Sequence, residues 1–258
     1  MKLWASLLIV GIAAAAPAWG QAAAGDEAAI KLPAPRLDGA VSLEKAIQGR
    51  RSVRGYSGEA LTLAEAAQLL WAAYGITDPR PDGPAFIRGG LRAAPSAGGL
   101  YPLEVYLVAG KVTGLAAGIY RYVSEKHELA RIETGDRRDA LCLAALGQAW
   151  IREAPASLVF GAVFARTTKK YGERGRERYV WMDAGFAGEN VYLQARALGL
   201  GCCIAGAFLD DKVKQAVNMA GDEVPVCSPG RGPAEIGCSF MSDFIALPIV
   251  KSGSGIGN

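Results

Sequence analysis

Histidine is almost missing from this 258-residue chain: His127 stands alone, and no CxxC pair accompanies it. With so few imidazole and paired thiolate ligands, a zinc or iron–sulfur centre has no ligand set. An excess of charge of one sign is lacking too. A formal net charge of +3, from 28 basic and 25 acidic residues, leaves no basic face of the kind a nucleic-acid binder presents. No apolar run reaches the length of a membrane span. The best candidate, residues 3–16, lies between Lys2 and Ala18-Trp19-Gly20. It falls short of the roughly 20 residues a bilayer crossing needs and has the three-part layout of a secretory signal peptide. It carries no twin arginine and no cysteine at its end. The expectation is Sec-type export, cleavage near Gly20, a periplasmic or secreted mature chain and no stable membrane anchor. A GxGxxG turn after a strand is also absent, which argues against a Rossmann domain.

The five cysteines are Cys142, Cys202, Cys203, Cys227 and Cys238. The first three sit in apolar segments and read as buried small hydrophobes, while Cys227 and Cys238 leave a disulfide open. Residues 21–40, rich in Ala and Pro, read as a disordered lead-in to one domain over 41–226, and 227–258 as an atypical tail.

Within the domain, Ser42 opens a short helix through Gln48, and Thr62 with Glu65 forms a capping box. The helix that follows carries Ala66, Leu69, Leu70 and Ala73 on one face and stops at Gly75. Residues 77–90 read as a Pro/Gly loop of the length that often covers a site. Strands are expected at 103–109 and 119–123, and a helix from Asp136 to about Ala149. The apolar run 157–164 reads as a strand buried on both faces. The helix Met182–Leu198 is apolar on more than one side, so it belongs in a core or between subunits. Together these elements predict a mixed α+β layer structure.

Three stretches carry candidate chemistry. In "GRRSVRGYS", Arg50, Arg51, Ser52 and Arg54 bring three guanidiniums and a hydroxyl within five residues, and guanidinium forks match phosphate oxygens. In "RAAPSAGGLYPLEVYLVAG", Pro95, Ser96, Ala97 and Gly98 put small residues directly before a strand. Glycine is chosen where the backbone takes a positive φ or lies against something bulky. "GLGCCIAGAF", 199–208, is a second small-residue surface. An anion cradle with two such surfaces suits a flat ring bearing a phosphate, and so suggests flavin mononucleotide.

These stretches, with "KKYGERGRERYVWMDAGF", resemble the nitroreductase superfamily of FMN oxidoreductases over residues 42–226, and "PSAGGLYPLEVYLV" resembles its SagB-type dehydrogenases, which include azoline-forming peptide oxidases. The resemblance implies a nitroreductase-like α+β sandwich, its central sheet flanked by helices. It also implies a homodimer with a buried central helix and an FMN at each of two interface sites. It places Arg50, Arg51, Ser52 and Arg54 at the phosphate and ribityl end, and Pro95, Ser96, Ala97 and Gly98 along the ring. Gly206 and Ala207 would present N–H groups near the ring's N5 and O4, where donors stabilise a ring that gains electrons. Lys170 and Tyr171 match the Lys-Tyr pair of the azoline oxidases, whose reaction removes a proton and so needs a base. Arg166, Lys169 and Arg174 add positive charge nearby. Substrates of this class are small molecules or peptides, with NAD(P)H a transient visitor. Rival readings are an NAD(P)H-dependent nitro or quinone reductase that makes no use of Lys170 and Tyr171, and a flavin- or ligand-binding module without turnover. The tail keeps Pro229, Gly230 and Arg231 of a phosphate-contacting turn. It is otherwise unlike the family, which leaves two explanations: a reading frame altered near Cys227, or an extension in which "FIALPIV" packs as a strand on the partner subunit.

Overall fold

The computed structural model describes residues 29–226 and 246–251. The signal-like segment, residues 21–28 of the lead-in, Arg231, and Cys227 with Cys238 lie outside the described residues.

In chain order the elements begin with β1 (Ile30–Lys31), α1 (Leu43–Gly49), β2 (Leu61–Thr62), α2 (Leu63–Tyr74), β3 (Ile76–Pro79) and β4 (Gly90–Arg92). The middle of the chain gives β5 (Leu103–Ala109), β6 (Val112–Thr113), β7 (Gly118–Val123), β8 (Glu128–Thr134), α3 (Arg138–Ala144) and α4 (Ala149–Glu153). Last come β9 (Ala156–Ala162), α5 (Phe164–Arg174), α6 (Val180–Ala197), β10 (Leu200–Cys202), α7 (Asp210–Val217), β11 (Val224–Pro225) and β12 (Ala246–Lys251). The main sheet runs β1-β8-β7-β5-β9-β12-β10, with β11 also paired to β9, and each of these pairs is antiparallel.

Every residue of β5 and β9 is buried, because helices cover both faces of the sheet. Leu103, Val105 and Leu107 join Leu158 and Phe160 under α2 and α6. The alternate residues Tyr106, Val108 and Val159 face Leu141, Ile151, Val213 and Val217 of α3, α4 and α7. Each fully buried Leu, Val or Phe contributes roughly 1.5–3 kcal/mol, so these two strands anchor both cores. This is the expected α+β architecture. The capping box forms as read, with Thr62 Oγ1 accepting from the Glu65 N–H at 3.2 Å and the Glu65 carboxylate accepting from the Thr62 N–H at 2.7 Å.

Four expectations are corrected. Residues 29–40 are held in place instead of forming part of a disordered lead-in. Ile30–Lys31 pairs with β8, the Pro33 carbonyl lies 2.8 Å from His127 Nε2, and Gln68 exchanges two hydrogen bonds with the Arg36 backbone. Pro/Ala composition was a poor guide because the edge of β8 supplies the missing backbone partners. The 77–90 loop contains the arms of an antiparallel pair, β3 with β4. The helix expected from Asp136 to Ala149 breaks into α3 and α4, at Leu146 and Gly147, which both take positive φ. The strand foreseen in "FIALPIV" does form, at Ala246–Lys251, but it inserts between β9 and β10 of its own chain. Both of those strands present open edges there, and filling the gap satisfies the backbone of three strands at once.

Candidate active site

The segment after α1 runs alongside β10. Val53 N–H donates to the Cys202 carbonyl at 2.9 Å, and Ser52 bridges to Cys202 as a parallel neighbour. The close approach depends on Gly201, where a Cβ would lie 2.7 Å from a Val53 methyl. Tyr192 of α6 fastens the two stretches together. Its hydroxyl is 3.0 Å from Ser52 Oγ and accepts the Ile204 N–H at 3.0 Å, while burial pushes its pKa up. The Arg50 guanidinium lies 5.2 Å from the Tyr192 ring centre, and that of Arg54 5.8 Å from the Trp150 ring. Arg51 turns back onto the Gln48 and Arg50 carbonyls. Among the described residues, Arg50, Arg51 and Arg54 form no ion pair with a carboxylate.

A second group assembles around the small-residue turn. Ala97–Gly99 is a single tight turn in which Gly98 and Gly99 both have φ near +65°, a conformation glycine adopts without steric cost. Asp183 of α6 holds it: its carboxylate accepts from Ser96 Oγ at 2.5 Å and from the Ala97 N–H at 3.3 Å. Ser96 Oγ in turn accepts the Tyr101 N–H at 2.9 Å. Asp183 is only 2% exposed, and that burial raises its pKa to about 6, against the lowering effect of its two donors.

The raised pKa has a testable sign. A carboxyl that binds its proton more tightly when folded makes stability fall as pH rises from about 4 to about 6, and flatten above. The difference in unfolding free energy between the parent and Asp183→Asn, measured by denaturant titration, is expected to change by on the order of 2 kcal/mol across that window. An unchanging difference from pH 4 to pH 7 would contradict it.

Lys170 and Tyr171 reach this turn from α5. A Cβ on Gly98 would stand 2.6 Å from the Tyr171 hydroxyl and 3.0 Å from Lys170 Nζ, so what presses on Gly98 within the chain is this pair. The ring of Tyr171 meets that of Tyr179 edge to face, centres 4.9 Å apart, and Arg174 Nε donates to the Tyr179 hydroxyl at 2.8 Å. Eight residues on a straight helix would separate the two rings by about 12 Å. The chain avoids this by breaking helical geometry at Gly172 and widening to a π turn over Gly175–Tyr179. Of the positive charge foreseen around Lys170, that of Arg166 is taken up in an ion pair with buried Glu104 at 2.6 Å.

Gly206 and Ala207 follow β10. Gln148 Nε2 donates to the Ala207 carbonyl at 2.9 Å and fixes that peptide, and among the described residues no backbone bond takes the Gly206 or Ala207 N–H. The predicted residues thus fall into groups. Residues 50–54 gather at Tyr192 and residues 95–98 with 170–171 at Asp183, about 13 Å apart along the axis of α6. Gln148 and Trp150, at the start of α4, reach Ala207 and Arg54. Four contacts were not foreseen: Asp183, Tyr192, Gln148 and Trp150. Of these only Asp183 left a signal, as a lone carboxylate inside an apolar helical stripe.

A family model described as the nitroreductase family matches residues 47–230. A Methanocaldococcus jannaschii protein named "Putative nitroreductase MJ1384" is 41% identical over 195 residues, covering 76% of this chain and 92% of that protein. The trifolitoxin-processing protein TfxB of Rhizobium leguminosarum bv. trifolii is 32% identical over 117 residues. That match takes in 42% of this chain and only 30% of TfxB. A crystal structure of a "putative nitroreductase" from Ralstonia eutropha superposes with a TM-score of 0.68 at 27% identity, covering 89% of this chain and 91% of that one.

Proposed function

This chain belongs to the nitroreductase family, and from that premise we propose that it is an FMN-dependent oxidoreductase of the SagB type, in which Lys170 and Tyr171 act on the substrate. The residues present fit a phosphorylated flavin. Arg50, Arg51 and Arg54 offer guanidinium donors with no carboxylate partner among the described residues, and guanidinium suits phosphate geometry. The turn Pro95–Gly98 offers a surface with no bulky side chain of its own. When bound, the flavin supplies the two-electron centre of the reaction.

The observation that carries the SagB reading is the meeting of Tyr171 and Lys170 at Gly98. Lys170 Nζ would take the proton that a dehydrogenated carbon gives up, and the Tyr171 hydroxyl would donate a hydrogen bond to a substrate oxygen or nitrogen. Ser96 and Asp183 hold the turn against which both work. The relative named for trifolitoxin processing supports a peptide among the candidate substrates. NAD(P)H is a transient electron donor in this reading, and the signal-like segment supports export of the mature chain to the periplasm or outside the cell.

A homodimer completes the proposal. Met182 and Phe186, one turn apart on α6, are 52% and 42% exposed in the single chain, although Ala184, Ala187, Val191 and Ala195 of the same helix are buried. A second copy seated there would cover this stripe and join the 50–54 group of one chain to the 95–98 turn of the other. Phe186→Asp is expected to convert a dimer to monomers in analytical ultracentrifugation and to lower flavin retention together with it. A parent that sediments as a monomer would remove the dimer.

The deciding experiment is a visible spectrum of the protein after incubation with FMN and removal of free flavin. Retention of about one flavin per chain is expected, at the micromolar or tighter affinity that survives gel filtration. A folded but colourless protein would overturn the reading in favour of a binding module without turnover.

A further inference from the structure

The cleft beside Arg50 and Arg51 is lined in part by a basic residue that the RRSxR string does not contain. It is lined by Gly49, Arg50, Arg51, Tyr192, Arg196 and Cys202, together with Val53 and Leu200. Arg196 is the basic residue in the last turn of α6, and its side chain crosses to the end of α1. There it lies so close to Gly49 that a Cβ on that glycine would collide with the guanidinium, 3.0 Å from one terminal nitrogen and 3.1 Å from the central carbon. Gly49 has no positive φ to explain it. A side chain at Gly49 would oblige the flexible end of Arg196 to move away from this position.

Three guanidiniums therefore border one concavity. None of them forms an ion pair with a carboxylate among the described residues, and Glu189, the carboxylate that shares the neighbourhood of Cys202 with Arg50, forms none with them either. Like charges gathered around a cleft repel one another unless an anion sits between them. Arg54, by contrast, lies over Trp150 and is not among the residues that line the cleft.

We propose that Arg196, seated by Gly49, is the third anchor of a phosphate-binding cleft formed with Arg50 and Arg51. The identity of the anion as the phosphate end of FMN rests on the function proposed above, whereas the cleft itself rests on the placement of the three side chains. Arg196 also has a purely structural use, as a cation at a helix C-terminus. The test must separate the two.

The test is to measure dissociation constants for FMN and for riboflavin, which lacks the phosphate, with the parent, Arg196→Gln and Gly49→Ala. A charge-assisted contact removed from phosphate weakens FMN by about 10- to 100-fold in Arg196→Gln and leaves riboflavin within about twofold. Gly49→Ala keeps every charge but pushes the guanidinium out of place, so it weakens FMN in the same direction by a smaller factor, again sparing riboflavin. Equal losses for both flavins, or no loss for either, would overturn the assignment. If the parent binds neither flavin, the functional reading fails on its own, and inorganic phosphate decides the cleft. A phosphate-dependent rise in melting temperature present in the parent and absent from Arg196→Gln upholds it, while the same response in both, or none in the parent, removes it.

Discussion

A protein carrying Arg50→Gln and Arg51→Gln together is expected to emerge colourless from FMN incubation while keeping its melting temperature. Each lost guanidinium–phosphate contact is worth roughly 1.5–3 kcal/mol, so two weaken binding by about 10²- to 10⁴-fold, enough to strip flavin on a desalting column. The fold does not depend on either side chain. Arg51 is exposed and bonds only to the Gln48 and Arg50 carbonyls, and Arg50 rests on the face of Tyr192. Substitutions at such positions stay within about 0.5 kcal/mol of neutral. The backbone around them is held independently, by the Val53–Cys202 and Ile204–Tyr192 bonds. Melting curves with and without FMN, read beside the visible spectrum, check both halves. A double variant that keeps its flavin would place the phosphate elsewhere, with Arg54 the next position to change.

What could be read in advance follows from how local each signal is. The Thr62–Glu65 box is complete within four residues, so it survived unchanged. The run at 157–164 announced a strand covered on both faces because a solvent-facing strand would have needed polar residues at alternate positions. The strand β8 passed unnoticed, since Glu128, Arg131 and Glu133 alternate irregularly with apolar residues along a strand only partly buried. The position of β12 was equally hidden. Its composition proclaimed a strand, but which edges stood open is a property of β9 and β10, far away in the chain.

The site divides in the same way. Its chemistry-bearing residues stood out in contiguous strings, whereas the residues that place them are singletons brought in by tertiary packing. Asp183 and Tyr192 lie nine positions apart on α6 and each clamps a different string, by way of Ser96 and of Ser52. Nothing in the spacing of 50–54 and 95–98 relates one to the other; the helix does. Gly98 was noticed for a correct reason, a positive φ beside something bulky, although the bulky neighbour within the chain is the Tyr171 hydroxyl.

That neighbour sets the last prediction, and the largest effect on turnover. Lys170→Gln keeps a polar side chain, one bond shorter, near Gly98 but removes the group that can accept a proton. Losing a general base typically costs about 10²- to 10⁴-fold in rate, so oxidation of an azoline-bearing peptide is expected to fall by that factor, while reduction of a quinone by NAD(P)H, which needs no proton abstracted from carbon, is expected to stay near the parent rate. Flavin retention is expected to be unchanged, because no contact of Lys170 reaches the cleft at Arg50 and Arg51. Tyr171→Phe refines the result. It keeps the edge-to-face contact with Tyr179 and deletes only the hydroxyl beside Gly98, so a fall in kcat without a change in flavin affinity marks that hydroxyl as acting on substrate. If both variants run every reaction at the parent rate, the pair is a packing feature of α5, and the nitro or quinone reductase reading takes the place of the SagB one on the same scaffold.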